Sequence, residues 1–163
     1  MLTLIAIRGP SGSGKSTVAA RLFAATDRPT ALVDLDHYRF MFRNHPPGAS
    51  RIEYTVAGQA IESSLDAGFN VIFDGNFRLM DDGELPLPLF SYPGAESYAF
   101  YLQVSLEETL RRHAERVDQR IDADRMRALY EFAQPLGHGR ETVIPAGATL
   151  EETLATVRRV TGV

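Results

Sequence analysis

A glycine-rich loop lies between an apolar run and an amphipathic segment near the start of the chain. Leu2 to Ile7 is continuously apolar, and residues 9–17 read Gly-Pro-Ser-Gly-Ser-Gly-Lys-Ser-Thr. Apolar side chains then recur at helical spacing, at Val18, Ala19, Leu22 and Phe23. This order predicts a strand buried on both faces, a loop, and a helix from about Lys15 to Ala25. A chain that begins in this way is expected to build a parallel α/β sheet.

The loop has the spacing G-x-x-x-x-G-K-[ST], which is typical of a phosphate-binding turn before a helix. Its glycines let successive amides point at one phosphate, at the positive end of the helix dipole. Lys15, the only lysine of the chain, can bridge the β- and γ-phosphates as a catalytic residue, and the Ser16 hydroxyl can ligate Mg²⁺. A chance glycine-serine turn is the alternative, and the matching flanks argue against it. The predicted ATP contacts are Gly9, Pro10, Ser11, Gly12, Ser13, Gly14, Lys15, Ser16 and Thr17.

The rest of the chain alternates apolar runs with helical patterns. Strands are predicted at 31–34, 71–74, 98–104 and 142–144, and a helix at 51–67 with Gly68 as its left-handed end. Two further helices should begin with capping boxes, Ser105 with Glu108 and Thr149 with Glu152. Five parallel strands with helices between them favour an α/β fold, packed as a three-layer α/β/α sandwich.

Composition limits the class of protein. The chain has 163 residues, 44% of them hydrophobic and 23% charged, which predicts one ordinary globular domain over residues 1–163. It has no cysteine, so it lacks disulfides and thiolate metal sites and suits a reducing cytoplasm. No apolar stretch approaches the roughly 20 residues of a membrane span, and we expect no membrane contact. The net charge of −4 does not favour a nucleic-acid partner, although one basic groove stays compatible with it.

Two carboxylates and an arginine follow the second predicted strand. Residues 34–39 read Asp-Leu-Asp-His-Tyr-Arg, which puts Asp34, Asp36 and Arg39 at a strand's carboxyl end beside the loop. A carboxylate there can accept the proton of an attacking hydroxyl, and Arg39 can clamp an anionic acceptor. The structural alternative is a turn in which Asp36 caps a helix starting at His37. We favour the chemical interpretation, with Asp36 as general base and Asp34 as its competitor.

The third predicted strand also ends in a carboxylate. Asp74 stands where a carboxylate would hold Mg²⁺ directly or through water, and Asn76 and Arg78 follow it. A solvated turn is the alternative. We assign Asp74 to the metal together with Ser16, and assign Asp34, Arg39, Asp74 and Arg78 to the acceptor side.

Four arginines fall within ten residues of each other, at Arg111, Arg112, Arg116 and Arg120. Arg112 and Arg116 share a helical face, where like charges repel unless an anion lies between them. A solvated basic face is the alternative. We expect an anion-binding role, because Glu107, Glu108 and Glu115 are expected to screen only part of the charge.

These motifs resemble those of small P-loop kinases, the group that includes phage-type polynucleotide 5′-kinases, zeta toxins and chloramphenicol phosphotransferases. Asp36 and Arg39 match the Asp-x-x-Arg pattern of the phage-type kinases, and Arg112 and Arg116 match the Arg-x-x-x-Arg of their lid. Residues 73–78, Phe-Asp-Gly-Asn-Phe-Arg, instead resemble the zeta-toxin segment Glu-Gly-Thr-x-Arg, with aspartate in place of glutamate. The resemblance extends over nearly the whole chain.

The resemblance implies a P-loop NTPase fold of the nucleoside-kinase-like type, with strand order 2-3-1-4-5 and a lid over about residues 112–125. It also implies roles for individual side chains. Asp36 would be the general base and Arg39 a substrate clamp, Arg112 would contact adenine or phosphate, and Arg116 would be a catalytic residue that stabilises the transition state.

We therefore predict a cytoplasmic, ATP- and Mg²⁺-dependent kinase that transfers the γ-phosphoryl group to a hydroxyl of a small molecule. Two alternatives stay open. A kinase acting on polynucleotide 5′-hydroxyl ends would need a basic, aromatic-lined channel. A nucleotide-binding switch or ATPase would need a residue that orients water, and the sequence offers no clear glutamine for that task.

Overall fold

The structure is a computed structural model that describes residues 1–46, 51–77, 89–115 and 122–162. Its strands are β1 (Leu2–Arg8), β2 (Thr30–Asp34), β3 (Asn70–Asp74), β4 (Ala95–Leu102) and β5 (Glu141–Ile144). Its helices are α1 (Lys15–Ala25), α2 (Leu35–Met41), α3 (Ile52–Asp66), α4 (Leu106–Ala114), α5 (Ala123–Phe132) and α6 (Leu150–Thr161).

The five strands form one sheet in the order β2-β3-β1-β4-β5, and every neighbouring pair is parallel. This confirms the predicted parallel sheet and its strand order. Asp74 at the end of β3 lies in register with Ile7 on one side and with Asp34 on the other. The carboxyl ends of β1, β2 and β3 therefore meet at one edge, which is where open α/β sheets bind ligands.

Apolar side chains alternate between the two faces of the sheet. Leu4 and Ala6 of β1 pack in a core with Ala57, Ile61 and Leu65 of α3. Their neighbours Ile5 and Ile7 pack in a second core with residues of α1 and α6, including Val18, Leu22 and Val157. Helices thus cover both faces, and the three-layer sandwich is confirmed. Across the described ranges, no helix combines the length and apolarity that a bilayer crossing requires.

Strand β4 differs from its predicted bounds at both ends. It begins at Ala95, three residues before the predicted start, because Leu2 to Leu4 of β1 pair with Ala95 to Ser97. It ends at Leu102, before the predicted end. The pattern of β4 alone did not contain this information, since the pairing partner lies more than 90 residues away in sequence.

The two predicted capping boxes have different outcomes. Thr149 accepts from the amide of Glu152, and the Glu152 carboxylate accepts from the Thr149 amide at 2.8 Å, so the box before α6 is confirmed. Ser105 accepts from the Glu108 amide at 3.1 Å. The Glu108 carboxylate instead binds the guanidinium groups of Arg111 and Arg112. The prediction of a complete box at Ser105 is therefore wrong, because the two arginines compete for its glutamate.

Candidate functional site

Residues 9–17, called the phosphate loop below, connect β1 to the start of α1. Gly9 has a φ of 148°, and a Cβ there would lie 2.7 Å from the carbonyl oxygen of Leu102. Gly14 has a φ of 94° and is the residue before α1. Both positions need glycine, one for space and both for conformation. The loop therefore leads directly into the amino-terminal end of α1, where the unpaired amides of a helix favour a phosphate.

The first two residues of α1 lie beside Asp74. Ser16 and Lys15 both lie close enough to the Asp74 carboxylate to lower its pKa. Burial raises the pKa of Asp74, and the negative charges of Asp34 and Asp36 raise it further, whereas Ser16 and Lys15 lower it. The structure thus brings together five of the residues that the sequence singled out.

Asp74 has the properties of a metal ligand. It is only 4% exposed, and its Oδ1 is buried without a hydrogen-bond partner in the described structure. A buried carboxylate oxygen without a donor is costly unless a cation or a water molecule occupies the space beside it. Hard oxygen ligands such as Asp74 and the Ser16 hydroxyl suit Mg²⁺, which usually keeps several waters and adds phosphate oxygens. No group of three acidic or histidine side chains in the described ranges forms a metal cage by itself.

Asp34 and Asp36 differ in their surroundings. Asp34 ends β2 and caps α2, since its Oδ1 accepts from the Asp36 amide at 2.9 Å. The alternative in which Asp36 caps a helix starting at His37 is wrong, because α2 begins at Leu35, directly after the strand. Asp36 lies in the first turn of α2 with 53% of its side chain exposed, and its Oδ1 accepts from Arg39 at 3.0 Å. Asp36 and Arg39 thus form one ion pair at the ligand-binding edge.

Two residues that the sequence analysis did not assign connect this edge to the phosphate loop. The Gly9 amide donates to Oδ1 of Asn76 at 2.9 Å, and the Tyr54 hydroxyl of α3 donates to the Asn76 carbonyl at 2.9 Å. Asn76 belongs to the segment after β3 that the sequence analysis noted without giving it a role. Tyr54 lies among the apolar residues on the buried face of α3, so its hydroxyl did not attract attention. A buried tyrosine on such a face needs a partner for its hydroxyl, which is the signal that could have identified it.

Arg112 reaches the phosphate loop from α4. Its Nη1 donates to the Gly12 carbonyl at 2.8 Å, and its Nε donates to Glu108 at 2.6 Å. Glu108 and Glu115 also bind Arg111. Carboxylates therefore screen the charge of Arg111 and Arg112, because Glu108 accepts from both, while Arg116 and Arg120 lie outside the described residues. The contact with Gly12 nevertheless places Arg112 beside the predicted nucleotide site.

Arg8 forms a second unassigned network, directly before the loop. Its side chain is fully buried and forms an ion pair with Glu141 of β5. Its Nη2 donates to the carbonyls of Phe77 at 2.5 Å and Gln134 at 3.0 Å, and its guanidinium lies 4.7 Å from the centre of the Phe77 ring. Burial lowers the pKa of Arg8, and the charge of Glu141 opposes that shift. The sequence offered one signal for this network, which is that the charged residue Arg8 directly follows the apolar run from Leu2 to Ile7.

Some predicted site residues lie outside the described residues. Arg78 and Arg116 belong to residues 78–88 and 116–121, and nothing in the structure bears on their placement. The proposed lid of about residues 112–125 includes the end of α4 and the start of α5, with 116–121 between them. The roles of Arg78, Arg116 and the lid stay predictions.

Residues 4–136 match the family described as AAA domain, which is most of the chain. The comparison with curated proteins gave no match.

Solved structures share the fold. A sugar kinase from Janibacter sp. HTCC2649, unliganded, superposes with a TM-score of 0.75 at 17% identity, over 98% of this chain and 94% of its own. A gluconokinase from Sinorhizobium meliloti 1021 has a TM-score of 0.68 at 21% identity, with the same coverage. A chain of the Pnkp1/Rnl/Hen1 RNA repair complex superposes with a TM-score of 0.63 at 22% identity, over 81% of this chain and 44% of its own. The protein is accordingly a member of the AAA-domain family, with a P-loop kinase-like fold.

Proposed function

We propose that the protein is an ATP-dependent phosphotransferase that moves the γ-phosphoryl group of ATP to a hydroxyl group of a small molecule. The observation that carries this proposal is the Asp36–Arg39 ion pair, which stands at the same sheet edge as Asp74 and the phosphate loop. An acid and a guanidinium beside a phosphate cradle suit an alcohol acceptor better than they suit a switch that hydrolyses nucleotide with water.

Each side chain has a definite task in this reaction. The amides of the phosphate loop and Lys15 hold the phosphates, while Ser16 and Asp74 would hold Mg²⁺, which neutralises charge on the β- and γ-phosphates when bound. Asp36 accepts the proton of the acceptor hydroxyl as the oxygen attacks the γ-phosphorus and the bond to the β-phosphate oxygen breaks. Arg39 holds an anionic group of the acceptor.

The remaining assignments concern the lid. We place Arg112 near the adenine and α-phosphate, because its guanidinium donates a hydrogen bond to the Gly12 carbonyl of the phosphate loop. Arg116 is proposed to stabilise charge on the transferring group, and Arg78 to contact the acceptor. Closure of residues 112–125 would exclude water and protect ATP from hydrolysis. A single domain over residues 1–163 and a cytoplasmic location belong to the same proposal.

The acceptor is proposed to be a sugar or a sugar acid. Two structures with the same fold are called a sugar kinase and a gluconokinase. A polynucleotide 5′-hydroxyl end is the second candidate, favoured by the similarity to a chain of an RNA repair complex and by the Asp-x-x-Arg spacing of Asp36 and Arg39. The net charge of −4 favours the small molecule.

The test is phosphoryl transfer from radiolabelled ATP to a panel of sugars, sugar acids, nucleosides, aminoglycoside and phenolic antibiotics, and 5′-hydroxyl oligonucleotides. A labelled sugar or sugar acid supports the proposal, and a labelled oligonucleotide supports the second candidate. Release of inorganic phosphate at the same rate with and without every acceptor would contradict a kinase. Lys15→Ala is the control, because loss of the loop cation should abolish transfer while the melting temperature stays close to that of the wild type.

A further inference from the structure

Two asparagine side chains hold the chain of β1 against that of β3, one at each end of this strand pair. At the amino end, the Thr3 amide donates to Oδ1 of Asn70 at 3.0 Å. At the carboxyl end, the Gly9 amide donates to Oδ1 of Asn76 at 2.9 Å. The two bonds are alike, since each joins a backbone amide to a side-chain oxygen 67 residues away in sequence. Only the second bond belongs to the phosphate loop, because Gly9 is the first residue of that loop.

The backbone on both sides of Asn76 is joined to the end of β1. The Gly75 amide donates to the Ile7 carbonyl at 3.2 Å. The Nη2 of Arg8 donates to the Phe77 carbonyl at 2.5 Å. The position of the Asn76 side chain is therefore defined by its neighbours, and the Gly9 amide meets an acceptor that is itself held in place.

Asn76 is only two residues from Asp74, the carboxylate that we assign to Mg²⁺. Asp74 is the last residue of β3 and lies in register with Ile7. Its Oδ1 is buried and has no hydrogen-bond partner in the part of the chain that the structure describes. The bond from Gly9 to Asn76 therefore fixes the start of the phosphate loop relative to a buried carboxylate that favours a cation beside it.

We propose that Asn76 is a positioning residue that holds the phosphate loop at a fixed spacing from the Asp74 carboxylate, and thereby raises the affinity for a nucleotide bound with Mg²⁺. Asn76 acts through the Gly9 amide and contacts no reacting atom. Without the Asn76 oxygen, the buried Gly9 amide loses its acceptor and the start of the loop is free to move relative to β3. The proposal rests on the proposed function in one respect, which is that the loop binds a nucleotide together with Mg²⁺.

Binding of AMP-PNP with and without Mg²⁺ measures this effect, and it needs no acceptor. By calorimetry, Asn76→Ala should weaken binding about tenfold with Mg²⁺, as the loss of a buried hydrogen bond does, and by less in EDTA. In an Asp74→Asn background the same substitution should have the smaller effect in both conditions, because the carboxylate that the loop is positioned against is gone. A role in folding alone would give one effect in every condition.

Asn70→Ala is the matched control. It removes the equivalent bond from the Thr3 amide, and also the bond from Nδ2 of Asn70 to the Pro29 carbonyl at 3.2 Å, at the opposite end of the strands. Its melting temperature should fall at least as far as that of Asn76→Ala. Its affinity for AMP-PNP with Mg²⁺ should nevertheless equal that of the wild type, because no part of the phosphate loop depends on Asn70.

Hydrogen exchange, followed by NMR without nucleotide, detects the two bonds directly. The Gly9 amide should exchange faster in Asn76→Ala, and the Thr3 amide should exchange faster in Asn70→Ala. Asn76→Asp keeps an acceptor oxygen, so its Gly9 amide should exchange as slowly as in the wild type. This variant keeps the test decisive if Asn76→Ala does not fold.

Two results would overturn the proposal. One is a loss of AMP-PNP affinity in Asn76→Ala that is the same with and without Mg²⁺, or the same as in Asn70→Ala. The other is a Gly9 amide whose exchange is unchanged in Asn76→Ala or is fast in Asn76→Asp. A protein that shows the expected binding and exchange but phosphorylates no acceptor would count against the proposed function alone.

Discussion

Asp34 and Asp36 are two residues apart, yet their carboxylates have different partners. Asp34 accepts from a backbone amide and caps α2, whereas Asp36 pairs with Arg39 and is half exposed. A general base must have a carboxylate oxygen within reach of the acceptor hydroxyl. The partners therefore favour Asp36 for this role, and Asp34 as the residue that orients the helix carrying it.

Substitution by asparagine separates these two roles. Asp36→Asn should lower kcat by about 10²- to 10⁴-fold with little change in the KM for ATP, because the amide cannot accept the proton. Asp34→Asn should keep most of the turnover, since asparagine caps a helix about as well as aspartate. Steady-state kinetics with the acceptor found in the panel provide the measurement. Loss of turnover in Asp34→Asn with near-normal Asp36→Asn would reverse the assignment.

At the scale of elements, the Glu108 carboxylate of α4 holds two arginines, Arg111 and Arg112, and Arg112 also contacts the phosphate loop. Hydrogen bonds from Arg111 and Arg112 lower the pKa of Glu108 to about 2. Because this pKa lies below its value in the unfolded chain, the stabilisation is complete above about pH 4.5. It is lost as the pH falls through the folded value.

The titration of Glu108 is therefore a test of these contacts. We expect the NMR titration of its side-chain carboxyl carbon to stay incomplete at pH 3, and to move to higher pH in Arg111→Gln and, by less, in Arg112→Gln. Glu107→Gln is the control, since Glu107 lies in the same turn and should leave the titration unchanged. An unaltered Glu108 curve in both arginine variants would contradict the ion pairs.

The two capped helices permit a comparison within one protein. Thr149→Ala removes the two bonds of the Thr149 hydroxyl, from the Glu152 amide and to the Glu152 carboxylate, and should lower the free energy of unfolding by about 1–2 kcal/mol. Ser105→Ala removes one bond, from the Glu108 amide, and should cost about 0.5–1 kcal/mol. Urea denaturation of the two variants measures the difference. Equal losses, or a larger one for Ser105→Ala, would show that the additional bond from the Thr149 hydroxyl to the Glu152 carboxylate contributes nothing.

At the scale of the whole molecule, the Arg8–Glu141 pair connects distant parts of the chain. Arg8 ends β1, Glu141 begins β5, and the same guanidinium binds carbonyls after β3 and after α5. Glu141 also accepts from the Leu136 amide at 2.5 Å. Four segments that are separate in sequence therefore meet at one buried charge, on the residue that precedes the phosphate loop.

Removing one partner of the Arg8–Glu141 pair should lower the stability of the protein more than replacing both partners by apolar residues. Arg8→Met leaves Glu141 buried without its cation, and we expect a loss of about 3–5 kcal/mol in the free energy of unfolding. The double variant Arg8→Met with Glu141→Leu should recover part of that loss, because no unpaired charge remains. Denaturant unfolding of the wild type and both variants provides the measurement. A double variant less stable than Arg8→Met would contradict a role dominated by mutual charge compensation.

Local patterns predicted most of the elements. The bounds of α1 match the structure, and β1, β2, β3, β5 and α3 lie within one or two residues of it. The phosphate loop could be predicted from the sequence, because its glycines adopt backbone conformations that few other residues adopt, at Gly9 and Gly14 in particular. The family resemblance supplied the strand order, which periodicity alone does not contain.

The sequence did not predict which side chains form hydrogen bonds or ion pairs with residues far away along the chain. The pattern of Asp34 and Asp36 did not show which carboxylate caps α2, since that depends on where β2 ends against β3. The glutamate of Ser105-Leu-Glu-Glu was expected to close a capping box, but Arg111 and Arg112 bind it more strongly as cations. The roles of three further residues became visible only when the fold brought distant strands and helices together: Tyr54, Asn76 and Arg8.

The sequence by itself determined the phosphate loop, the alternation of strands and helices, and the acids at the strand ends, because these follow from spacing within a few residues. Only the tertiary structure decided which donors each acid meets, that Gly9 is held by Asn76 and Tyr54, and that Arg8 is neutralised by Glu141. The physical reason is that burial and charge pairing depend on residues 22 to 133 positions away, whereas turn geometry and helix periodicity are local.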